Sequence, residues 1–177
     1  NYTEKQSAFE YDSFGNISVL HDLGSVFTGD DDYRLVIDYA DLPGYRHGYP
    51  EEMNVYNGSG TLIRRREGSY DNRGNQTGIR YYITGTTYAS YALAYDKYGN
   101  PLRFTGPKGL TNEITYDREI HSFPVQIDVY NTSDPSYRYR SFMEWDYTLG
   151  LHKASVDQNN NREERTYDSF GRLKAVF

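Results

Sequence analysis

Tyr11-Asp12-Ser13-Phe14-Gly15-Asn16 returns as Tyr70-Asp71-Asn72-Arg73-Gly74-Asn75, as Tyr95-Asp96-Lys97-Tyr98-Gly99-Asn100 and as Tyr167-Asp168-Ser169-Phe170-Gly171-Arg172. Each position in the phrase has a mechanical role. Asp opens a turn because its short carboxylate accepts a backbone N–H two residues on. Gly three positions later supplies the positive φ that a type I turn followed by a left-handed residue requires. The Tyr before it ends a strand, where a flat side chain packs well on a pleated face. The phrase therefore reads as strand, tight reversal, strand.

Worn copies surround the intact ones. Val55-Tyr56-Asn57-Gly58-Ser59-Gly60 replaces Asp with Asn, and Trp145-Asp146-Tyr147-Thr148-Leu149-Gly150 replaces Tyr with Trp and adds a residue. Val156-Asp157-Gln158-Asn159-Asn160-Asn161 has Asn where Gly would sit, and Thr115-Tyr116-Asp117 begins a copy without the glycine. Asn is the next best residue at positive φ. The spacing wanders from 11 residues (Val156 to Tyr167) to 45 (Tyr11 to Tyr56). A solenoid would hold its period, so the pattern predicts an antiparallel meander of hairpins with arms of unequal length.

Composition agrees. The 177 residues are 37% hydrophobic and 16% aromatic, with 20 tyrosines. A chain rich in Tyr and Gly leans to β structure. No window of 11 or more residues carries helical periodicity, and two-residue alternation dominates. Arg34-Leu35-Val36-Ile37-Asp38-Tyr39 is the clearest strand, residues 21–33 read as a loop, and residues 40–50 as an irregular excursion. Asn131-Thr132-Ser133-Asp134-Pro135 reads as the turn after the strand that ends at Tyr130. The fold class expected is all-β, with residues 1–177 forming a single segment whose ends look cut from a longer polypeptide.

The net charge of −6 disfavours broad phosphate-backbone binding. Arg64-Arg65-Arg66 runs into Glu67 and reads as strand decoration, not a nucleic-acid grip. With no Cys, disulfides, thiolate catalysis and thiolate metal sites are excluded. No stretch approaches the roughly 20 apolar residues of a membrane span.

The recurrent Tyr-Asp phrase resembles the rearrangement-hotspot (RHS) or YD repeats. That family includes the shells of bacterial polymorphic toxins, the B and C components of Tc-type toxins, and animal teneurins. Two stretches carry the resemblance best. One is Thr115-Tyr116-Asp117 with His121-Ser122-Phe123-Pro124-Val125, Trp145-Asp146 and Gly150. The other is Asp157-Gln158-Asn159-Asn160-Asn161 running into Arg165-Thr166-Tyr167-Asp168-Ser169-Phe170-Gly171-Arg172-Leu173. The order of these motifs is most similar to the SpvB-like, Tc-type branch. The resemblance implies a curved slice of a larger shell, non-enzymatic, secreted or at the cell surface. Its partners would be neighbouring repeats and an enclosed C-terminal effector domain. It also assigns a repeat-structural role to Tyr11, Asp12, Gly15, Tyr70, Asp71, Gly74, Tyr95, Asp96, Gly99, Tyr116, Asp117, Trp145, Asp146, Gly150, Tyr167, Asp168 and Gly171, with the aromatic residues stacking between hairpins.

Other sites read more weakly. His21, His47, His121 and His152 lack metal-ligand spacing. Gly29-Asp30-Asp31-Asp32 concentrates carboxylates without the spaced pattern of a Ca²⁺ loop. No Gly-x-Ser-x-Gly elbow marks a nucleophile, and no Gly-rich loop opens a helix. Catalytic, metal and cofactor sites are therefore expected to be absent. The alternative function is a carbohydrate-binding or adhesive surface using Tyr81, Tyr82, Tyr88, Tyr91 and Tyr95. A slice with open sheet edges is also expected to self-associate.

Overall fold

The computed structural model describes residues 4–25, 27 and 31–177. Among them there are fourteen strands and no helix. Every strand hydrogen-bonds to the next, so sheet order is chain order and the topology is an unbroken meander. All registered pairs are antiparallel. This is the all-β meander that the turn phrases predict.

The chain divides into two compact units, Asn1–Tyr91 and Ala92–Phe177. The first holds β1 (Lys5–Tyr11), β2 (Ile17–Ser25), β3 (Tyr33–Tyr39), β4 (Pro50–Asn57), β5 (Leu62–Tyr70) and β6 (Gln76–Thr84). The division falls within β7 (Thr87–Tyr95). The second unit continues with β8 (Pro101–Thr105), β9 (Leu110–Tyr116), β10 (Pro124–Asn131), β11 (Asp134–Asp146), β12 (Leu151–Val156), β13 (Arg162–Tyr167) and β14 (Leu173–Val176).

Two boundaries differ from the sequence reading. β2 runs on through His21–Ser25, where a loop was expected, and Lys5 pairs with Ser25. Gly24 adopts φ +46° and its N–H reaches the Asp22 carboxylate at 3.0 Å, so the strand absorbs an irregularity and continues. β11 begins at Asp134, inside the expected turn. The Asn131 side chain takes the Ser133 N–H at 3.0 Å and closes the reversal within two residues. Gly29 and Asp30 of the acidic run lie outside the described residues.

Register sorts side chains onto two faces in each unit, since opposed residues share a face and neighbours alternate. In the first unit one face carries Phe9, Leu20, Leu35 and Val55 in a lateral row, with Ile37 and Met53 beside them. The opposite face carries Asp38, Glu52, Glu67 and Arg80 in a row. In the second unit Leu93, Phe104, Asn112, Val129 and Tyr139 align on one face, with Ile114 and Ile127. Ala94, Arg103, Glu113, Asp128 and Arg140 align on the other. The buried hydrophobic residues are Ala40, Tyr130 and Ala154 alone among those described. Within each unit no described element packs over a face of the sheet.

Candidate functional site: the aromatic-clamped turns

The intact phrases fold alike. The Asp12 carboxylate accepts the N–H groups of Phe14 (2.9 Å) and Asn16 (2.8 Å), and its second oxygen accepts the Asn16 side-chain amide at 2.9 Å. Asp71 binds Arg73 and Asn75 in the same way. Asp96 does so with Tyr98 and Asn100. In the last copy Asp168 takes the Phe170 and Arg172 N–H groups, with the Arg172 guanidinium at 2.7 Å in place of the amide. The glycines Gly15, Gly74, Gly99 and Gly171 stand at φ between +76° and +92°. The amide of Asn16 holds Asp12 below the usual carboxylate range, opposed by partial burial and helped by the turn N–H groups. Asp71 is lowered by Asn75 in the same manner.

Worn copies reach the same end differently. Asn160 takes φ +63° behind Asp157. Gly150 follows Asp146 by four residues and donates its N–H to the Asp146 carbonyl at 2.8 Å, while the Asp146 carboxylate holds Thr148 and Leu149. Asp117 is the extreme case. It is 4% exposed, and its two oxygens accept five backbone N–H groups, from Glu119, Ile120, His121, Ser122 and Phe123. Burial opposes its ionisation, but the N–H groups of Phe123, Ile120, Ser122 and His121 outweigh it and drive the carboxyl far below the ordinary range.

Topology separates copies that look alike in sequence. Turns from odd to even strands lie at one end of each unit, and turns from even to odd strands lie at the other. Asp12, Asp71, Asp96, Asp117, Asp146 and Asp168 belong to the first set. Asn57 and Asp157, with the Asp-free turn Gly106–Gly109, belong to the second.

Among the described residues the aromatic clamps belong to the first set. Tyr39 at the end of β3 donates its hydroxyl to the Ile17 carbonyl at the start of β2, 2.9 Å away. Tyr70 reaches the Pro50 carbonyl at 2.9 Å, Tyr116 reaches Pro101 at 3.2 Å, and Tyr167 reaches His152 at 2.6 Å. The Trp145 indole N–H does the same to Pro124 at 2.7 Å. Each strand pair stops its ladder short of this end, and the aromatic polar tip takes the carbonyl left over. Directed hydrogen bonds thus hold these aromatic side chains, and Tyr70 and Trp145 also make ring contacts, with Tyr49 and Phe123, each at 5.2 Å. Tyr11 ends β1 and stays exposed, and Tyr95 ends β7 opposite Pro101. Tyr39 escaped the sequence reading because its turn is the irregular 40–49 excursion. A signal was present: three of the accepting carbonyls belong to prolines that begin strands, and a proline there has no N–H to give the ladder.

The histidines read as unremarkable take part in joining turn to turn. The Asn16 amide also donates to the His47 carbonyl at 2.7 Å, and the His47 ring stacks on Phe14 at 3.6 Å. In the second unit Asn100 donates to the His121 carbonyl at 2.5 Å, and His121 stacks on Tyr98 at 4.5 Å. One arrangement therefore occurs once in each unit.

The five tyrosines of the carbohydrate reading do not share a platform. Tyr82 and Tyr88 meet at 5.3 Å, whereas Tyr81 and Tyr91 meet at 5.8 Å on the opposite face. Guanidinium groups lie over three of the rings: Arg65 over Tyr82, Arg66 over Tyr81 and Arg80 over Tyr88. Arg65 also bridges Glu52 and Glu67, which oppose each other across β4 and β5. Among the described residues no group of three His, Asp or Glu is placed to hold a metal ion.

Comparison with known proteins defines the class by fold. No protein-family model matches the chain, and no curated protein matches it. Solved structures do. The crystal structure of TcdB2-TccC3-Cdc42 aligns over 98% of this chain and 9% of its own, at 17% identity and a TM-score of 0.72. TcdB2-TccC3 without its hypervariable C-terminal region gives the same values. A Photorhabdus luminescens Tc holotoxin pore with a mutation in TccC3 aligns over 98% and 9%, at 18% identity and a TM-score of 0.71. The chain has the fold of a short segment of these Tc toxin structures, which is the fold implied by its resemblance to YD repeats.

Proposed function

We propose that this chain is a non-enzymatic wall segment of an exported RHS/YD-repeat shell, with its apolar face turned towards an enclosed effector polypeptide. The observation that carries the reading is that each unit sets a largely apolar lateral row on one face against a charged row on the other, with no described element of that unit packed over either. Phe9 in the first unit and Phe104 and Tyr139 in the second, all on the apolar rows, are exposed, and an exposed apolar row marks an interaction face. The fold shared with Tc toxin structures supports the same reading.

In this reading the clamped turns stiffen the wall, and neighbouring repeats cover the outer edges of β1 and β14. The segment alone self-associates through those edges; a strictly monomeric species at high concentration in light scattering would count against that. The split of the tyrosines between faces, and the guanidinium groups over them, disfavour the glycan-binding alternative.

The test is crosslinking in the full-length protein. A photoreactive residue in place of Ile37 or Ile127 should capture the downstream effector domain, whereas one in place of Arg103 on the charged face should not. Capture from neither face, or equally from both, would overturn the proposal.

A further inference from the structure

His152 sits where three strands converge. Its carbonyl accepts the Tyr167 hydroxyl from β13. Its ring lies 5.0 Å from that of Trp145 on β11. Its Nδ1 meets the Arg165 guanidinium of β13 at 2.5 Å. Guanidinium has no lone pair to offer and cannot lose its proton, so the contact exists only while Nδ1 is an acceptor. The ring is therefore held as the neutral tautomer with its proton on Nε2.

Protonation would place an imidazolium against a guanidinium. The charged groups acting on the ring are Arg165 and Glu163 on β13, and Lys153 is its neighbour along β12. Glu163 is already engaged by Arg165. Asp146, at the end of β11, is occupied by the Thr148 and Leu149 N–H groups. Glu144 is taken by Arg162 at 2.6 Å. No carboxylate in this set is left to absorb a second cation.

We propose that His152 is an acid-sensitive latch: neutral, it ties β11, β12 and β13 together through Trp145, Arg165 and Tyr167, and protonated it releases Arg165 and loosens that end of the sheet. The proposal is independent of what the wall encloses. Burial lowers the affinity of the ring for a proton, the Arg165 charge lowers it further, and the Ala154 backbone and Glu163 oppose both without reversing them. With the folded value depressed, the latch contributes fully above about pH 6.5 and is lost as the pH falls from there through the folded value.

The chain contains a single tryptophan, and it is the one against His152. Trp145 emission, followed from about pH 8 to about pH 5 with backbone dichroism to confirm folding, should change in one sigmoidal step with a midpoint below that of free histidine. His152→Gln, which keeps an acceptor for Arg165 but does not titrate, should abolish the step. Arg165→Met should raise its midpoint. Hydrogen exchange over Lys153–Val156 should accelerate about fivefold beyond the intrinsic pH effect in the native chain and not in the Gln variant. A flat native profile, or the same step in His152→Gln, would overturn the latch. Should the Gln variant misfold, the imidazole resonances of the native chain decide: a midpoint at or above the free-histidine value would also overturn it.

Discussion

The hydroxyl of Tyr70 lies 2.9 Å from the carbonyl of Pro50, joining the end of one strand to the beginning of the strand paired with it. Its four counterparts at Tyr39, Tyr116, Trp145 and Tyr167 do the same. Tyr70→Phe keeps the ring and removes only the donor, leaving the Pro50 carbonyl without it. The expected loss is about 1 kcal/mol in urea unfolding. Tyr45→Phe, at a nearly fully exposed hydroxyl, should fall within about 0.5 kcal/mol of the parent.

Two turn glycines separate backbone strain from crowding. Gly15 has φ +85° and open space where a Cβ would stand. Gly74 has φ +87°, but its Cβ would meet the Tyr49 hydroxyl at 2.6 Å. Gly15→Ala should cost about 1–2 kcal/mol for the left-handed backbone alone. Gly74→Ala should cost more, because Tyr49 must also leave its contact with Tyr70. Equal thermal shifts for the two would show that Tyr49 yields freely.

Asn100 and Asn75 occupy the same place in their turns, yet Asn100 also holds the His121 carbonyl. Replacing either amide by a carboxylate removes the donor and sets a like charge beside the turn aspartate. Asn100→Asp should therefore destabilise more than Asn75→Asp, by about the worth of one further hydrogen bond, about 1 kcal/mol. Denaturant midpoints with unchanged slopes would measure the difference.

Asp117 makes the acid side of the stability profile specific. Its folded pKa is depressed, so its contribution is present above the unfolded carboxylate value of about 3.9 and is lost as the pH falls below it. Asp117→Asn offers one acceptor oxygen where five N–H groups converge. The variant should be less stable at neutral pH, and the gap to the parent should narrow as the pH drops towards 2. A gap independent of pH would show that the charge on Asp117 is not what holds the loop.

Much of the fold was legible because turn chemistry is local. Asp12 and Gly15, three residues apart, specify a reversal with no help from the rest of the chain, and period-two alternation specifies what the reversals join. The antiparallel meander follows from those two facts. The histidine joints were not legible: His47 and His121 are brought to Phe14 and Tyr98 across 33 and 23 residues of sequence, and nothing local marks either one as the partner of a distant turn. The platform of five tyrosines failed for a simpler reason, since Tyr81 and Tyr82 are neighbours and a strand sends neighbours to opposite faces.

What the residues determined unaided was therefore the reversals, the strands between them and the exclusion of cysteine chemistry. All of it depends on backbone preferences that act within a few residues. Only the tertiary structure decided which turns share an end of the sheet, which carbonyls the aromatic side chains reach, and that His152 stands between Trp145 and Arg165. Those outcomes depend on strand register. Register arises from the pairing of whole strands, and a shift of one residue would send each of these side chains to the other face.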